Sequence, residues 1–92
     1  MCTTGCQIGG RAIAEALVEC LSAKGVCAEA TVSTERCAKV WVGRDAIVWI
    51  YAKPPRAVVK VLRGGREAVV DSILVCLAFL ELEVEYVEVA KP

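Results

Sequence analysis

Alternation of apolar and polar side chains at every second residue constrains this chain most, because a strand buried on one face is the element that needs it. Val26, Ala28, Ala30 and Val32 alternate with Cys27, Glu29, Thr31 and Ser33. Cys37 to Val42 alternates again, after a short turn at Thr34-Glu35. Leu82 to Val89 repeats the pattern near the C-terminal end. Between them Ala46 to Ala52 is apolar on both faces, which predicts a central strand. Gly43-Arg44-Asp45 suits a short hairpin connection containing glycine.

Other stretches follow the helical period. Over Ile8 to Lys24 the residues Ile13, Ala16, Leu17, Cys20 and Leu21 share one face, and Gly25 suits the position just past a helix end. Pro54 to Leu62 is read as a helix. Lys53, Arg56, Lys60 and Arg63 then fall within an arc of about 80°, Pro55 occupies the first turn and Gly64-Gly65 the end. Arg66 to Leu80 predicts a further helix, with Val69, Val70, Ile73, Leu77 and Leu80 turned inward. The expected order is α-β-β-β-α-α-β in an α+β fold, with the helices packed on one face of a mixed sheet. A chain of 92 residues has room for one core, so residues 1–92 are expected to form a single domain, 1–8 being a Cys/Gly/Thr-rich lead.

Composition excludes several classes. A hydrophobic share of 57% is incompatible with a disordered tail. The longest apolar run, Ile73 to Leu80, falls well short of the roughly 18 residues of a membrane span. The start Met1-Cys2-Thr3-Thr4-Gly5-Cys6 lacks a basic region and a leading apolar stretch, so a cytoplasmic protein is expected, away from membranes. Eleven basic and eleven acidic residues cancel, giving no global attraction to nucleic acid. They are segregated, however. Lys53, Arg56, Lys60, Arg63 and Arg66 form a basic block, and Glu81, Glu83, Glu85 and Glu88 an acidic one; either could be a solvated face. Asn is absent and Gln7 is the only Gln, a composition suited to high temperature.

No histidine is present, which removes the commonest general base and metal ligand. Asp71-Ser72 is a helical dipeptide whose side chains diverge. Neither an enzyme nor a cofactor is expected. The cysteines are Cys2, Cys6, Cys20, Cys27, Cys37 and Cys76, without a C-x-x-C pair, which argues against metal binding and thiol redox catalysis. Three structural disulfides are the favoured reading, with buried thiols as the alternative. Fifteen connectivities are possible for six cysteines. Cys20–Cys76 is the pair singled out, because both helices should cover the same sheet face.

The run Arg63-Gly64-Gly65-Arg66 suggests a binding surface. Glycines let a backbone approach closely, a helix start offers N–H groups, and arginines grip phosphate. A tight corner between two helices is the plainer explanation. The stretch from Ala46 to Val89 resembles the core of a type II KH domain. Its loop is matched by Val61-Leu62-Arg63-Gly64-Gly65 in degenerate form, with Leu62 where the first glycine would stand. Over its whole length, in its cysteines, its lack of Asn and His and its Ala/Val bias, the chain also resembles a small family of disulfide-bonded proteins of Pyrobaculum-like hyperthermophilic crenarchaea. That family is associated with THUMP-like folds. Both resemblances imply RNA as a partner, with Lys53, Arg56, Lys60, Arg63, Gly64, Gly65 and Arg66 as the contact surface. The expected function is a non-enzymatic nucleic-acid-binding module. The alternative is a scaffolding protein acting through a homo-oligomer interface.

Overall fold

The computed structural model describes residues 4–31, 38–52 and 55–90. Along the chain these form α1 (Thr4–Ala23), β1 (Glu29–Thr31), β2 (Ala38–Val42), β3 (Ala46–Ala52), β4 (Pro55–Val61), α2 (Glu67–Phe79) and β5 (Glu83–Val89). The fold is α+β, with one mixed sheet in the order β1-β2-β3-β4-β5. Strands β1 to β4 run antiparallel to their neighbours, and β5 lies parallel to β4. A parallel pair needs a crossover between its strands, and α2 supplies it. α1 starts at Thr4, within the stretch read as a lead. No helix among the described residues is long and apolar enough to cross a membrane.

The expected helix at Pro54–Leu62 is instead strand β4, so the order is α-β-β-β-β-α-β. β4 is hydrogen-bonded on both sides, to β3 from Ala46↔Val61 to Ala52↔Pro55 and to β5 from Arg56↔Glu83 to Val61↔Val89. Pro55 is tolerated as the first strand residue, and Val58, Val59 and Val61 are stiff β-branched side chains that favour a pleated surface. Arg56 and Lys60, two of the cations that made the segment read as a helix, sit on the sheet face away from the core.

A single core cluster joins alternate strand residues to the helices. Val40 and Val42 of β2, Val48 and Ile50 of β3, and Val59 and Val61 of β4 meet Leu17 and Leu21 of α1 and Ile73 and Leu77 of α2. Cys20 and Cys76 are disulfide-bonded across the two helices, with Cα atoms 5.9 Å apart. A bridge spanning 56 residues of sequence stabilises the fold by roughly 4 kcal/mol in the chain-entropy model. Cys27 departs from the expected bridges. Among the described residues it is a free, exposed thiol preceding the short β1. Cys2 and Cys37 lie outside the described residues, and Cys6 lies in α1.

Both helices end in the same way. Past α1, the Gly25 N–H donates to the Ser22 carbonyl and Val26 N–H to that of Leu21. Past α2, Glu81 N–H donates to Ala78 and Leu82 N–H to Leu77. These paired bonds place one residue in the left-handed region, Gly25 at φ 80° and Glu81 at φ 60°. Glycine adopts that backbone without a Cβ penalty and glutamate does not. Glu81→Gly is therefore expected to raise unfolding stability by about 1 kcal/mol, and Gly25→Ala to lower it by about 1 kcal/mol. Urea unfolding of the two variants beside wild type checks both signs; a destabilised Glu81→Gly would contradict this account of the α2 end.

Candidate nucleic-acid interface

Strand register decides which side chains share the sheet face opposite the core. One row across the sheet is Thr31, Lys39, Trp49, Val58 and Tyr86. The next is Glu29, Trp41, Ile47, Lys60 and Glu88, and Tyr51 lies opposite Arg56 at one end of β3. Aromatic rings and cations thus interleave over β2 to β5. Trp41 is 39% exposed and Tyr86 55%, enough to offer ring surface to a ligand. Trp49 and Tyr51 are half-buried. Trp49, Val58, Lys60, Tyr86 and Glu88 line a shallow cleft of about 150 Å³.

The cations on this face are held against rings and carboxylates. Lys39 Nζ lies 5.0 Å from the Trp41 ring centre and 5.7 Å from that of Trp49, within cation–π range of both. The Arg56 guanidinium stacks 4.4 Å from the Tyr51 ring, and its Nε lies 3.1 Å from Glu85 Oε1. Lys60 Nζ is 3.9 Å from Glu88 Oε2. The Lys60–Glu88 pair is solvent-exposed and the Arg56–Glu85 pair partly so, so each contributes little to stability and can exchange for another anion.

Arg63, Gly64, Gly65 and Arg66 do not join this surface. They form the corner between β4 and α2, at the end of the sheet where β2 turns into β3. There Asp45 occupies the anion position expected for phosphate. Its Oδ1 accepts the Arg66 backbone N–H at 2.9 Å and the Nε–H at 3.1 Å, and its Oδ2 accepts from Nη2 at 2.9 Å. A Cβ on Gly65 would overlap the Asp45 carbonyl oxygen and come within 2.9 Å of Val61 Cγ1. The glycine therefore serves close packing of protein on protein. Arg63 is exposed, and Lys53 lies outside the described residues. The six described residues among the seven singled out by sequence separate into a sheet-face pair, Arg56 and Lys60, and a structural corner, Arg63 to Arg66.

Lys39, Tyr51 and Tyr86 escaped the sequence reading. The same-side spacing of Lys39 with Trp41 in β2, and of Trp49 with Tyr51 in β3, is the signal that marks the first two. Tyr86 joins them only through the parallel pairing of β5. Among the described residues no group of three or more Cys, Asp or Glu could hold a metal ion. No protein-family model, curated protein or solved structure matches the chain.

Hydrogen bonds from the Arg66 side chain, then from its backbone N–H, hold the Asp45 carboxyl below its ordinary range. A group whose folded pKa is depressed stabilises the fold in full above its unfolded value, near 3.9, and loses that contribution as pH falls through the folded value. Asp45→Asn is expected to lower Tm at pH 7 by on the order of 5 °C. The gap from wild type should be constant between about pH 5 and 7, narrow as pH falls below the unfolded value near 3.9, and close as pH passes below the depressed folded value. Thermal scans across this range check it; a gap that persists undiminished at low pH would show that the carboxylate charge is not what matters.

Proposed function

We propose that this chain is a non-enzymatic module that binds single-stranded nucleic acid, RNA in the first instance, on the exposed face of its sheet, with both helices stacked behind. The observation that carries the reading is the interleaving of Trp41, Trp49, Tyr51 and Tyr86 with Lys39, Arg56 and Lys60 on one surface. Bases stack on aromatic rings, each stack contributing about 1–3 kcal/mol, while cations follow the phosphate backbone. Flat rings on a sheet suit unpaired bases, whose π faces are accessible, better than a duplex. The β5 carboxylates temper the affinity, because phosphate must displace Glu85 from Arg56 and Glu88 from Lys60. This proposal moves the contact surface from the Arg63–Arg66 corner to the sheet.

Titration of tryptophan fluorescence with single-stranded oligouridylate tests it. Quenching is expected at low salt, and log affinity should fall with log salt at a slope near −2, the value for three cations on a single strand. Trp41→Ala should weaken binding by at least about fivefold, as for a lost base stack. Glu85→Gln with Glu88→Gln should tighten binding, whereas Arg63→Ala should change it little. No affinity tighter than about 100 μM at low salt, where even non-specific binders register, would end the proposal.

A further inference from the structure

We infer that a second copy of this chain docks on the outer surface of α1 and α2, each copy placing its Phe79 ring in the other's interhelical groove. The groove has a volume of about 690 Å³. Ala16, Cys20 and Ala23 of α1 form one wall, and Val75 and Leu80 the other. Its alanines let another element approach closely. Phe79 borders the groove and is 78% exposed, and Val75, one turn earlier, is 55% exposed. A knob and a hole beside one another on the same surface are what a two-fold, self-complementary interface requires.

Charge selects the same partner. Glu19 and Lys24 stand on the α1 side of the groove, both exposed and with no ion-pair partner among the described residues. An antiparallel two-fold through α1 brings Glu19 of one copy to Lys24 of the other, twice. A partner of a single charge sign would satisfy one of these residues and repel the other.

Among the described residues the sheet edges offer no competing route. β1 is only three residues long. β5 carries Glu83, Glu85 and Glu88 and a register irregularity where Val84 and Tyr86 follow Ala57 and Val58. Short, charged and bulged edges resist strand addition. The helical surface is therefore the place for self-association, and it leaves the exposed sheet face of each copy pointing outward.

Sedimentation equilibrium of the oxidised protein from about 1 μM to 1 mM tests the inference. The interface rests on one aromatic anchor per copy, so a monomer–dimer equilibrium with Kd on the order of 10 μM is expected. Phe79→Asp should give a monomer throughout this range with an unchanged circular dichroism spectrum and Tm, because Phe79 is exposed. Glu19→Lys should weaken dimerisation by about tenfold, since the two-fold repeats the like-charge contact. Combining Glu19→Lys with Lys24→Glu should restore it. Wild type that stays monomeric at 1 mM, about 100 times the expected Kd, a Phe79→Asp variant that still dimerises, or a double variant no better than Glu19→Lys would each overturn the inference.

Discussion

Three connections of the fold converge on the Asp45 backbone and carboxylate. Its N–H closes the β2–β3 turn on the Val42 carbonyl at 3.0 Å, and its carbonyl accepts Leu62 N–H at 2.9 Å where β4 ends. Its carboxylate then takes the backbone and guanidinium of Arg66 as α2 begins. One residue thereby fixes where the chain leaves β4, and so the path by which α2 carries it across to lay β5 parallel to β4. Asp45 is 7% exposed, and with both oxygens hydrogen-bonded its burial carries no unsatisfied polar atom. The negative charge also lies at the positive end of the α2 dipole. Gly65 belongs to the same arrangement, since a side chain there would push the corner away from the hairpin.

The disulfide constrains the other side of the core. Cys76 is fully buried and Cys20 partly so, and the bridge binds α1 to α2. In a domain this small the hydrophobic core alone leaves a narrow margin of stability, and a crosslink between distant helices adds to it by limiting the unfolded chain. The two constraints are complementary. Asp45 sets where α2 starts, and Cys20–Cys76 sets how α2 lies on α1.

With its core satisfied on one side, the sheet carries a chemically mixed surface on the other. Lys39 and Arg56 hold their cationic groups over the Trp41 and Tyr51 rings and Lys60 lines a cleft with Val58, so charge interrupts the apolar surface. Arrangements of this kind serve both solubility and stacking. The proposed nucleic-acid surface therefore needs no dedicated loop, and the helical surface behind it is available for self-association.

Local patterns determined a good part of this protein. Gly25 marks the end of α1 because a left-handed residue past a helix is a local requirement, and Ala46–Ala52, apolar on both faces, is the central β3. The pairing of Cys20 with Cys76 was likewise legible, because each sits on the apolar stripe of a helix that must cover the sheet. Pro55–Val61 was ambiguous for a physical reason: Arg56, Lys60 and the valines satisfy a helical stripe about as well as a strand. Hydrogen-bonding partners on both sides, in β3 and β5, resolve it, and these come from 46–52 and 83–89. The Asp45–Arg66 contact spans 21 residues and has no signature in either segment. The aromatic and basic surface follows the same rule. Sequence spacing puts Trp41 beside Lys39 and Tyr51 beside Trp49 on a strand, but only the register of four strands places them on one face with Tyr86, because cross-strand neighbours are chosen by tertiary pairing and not by distance along the chain.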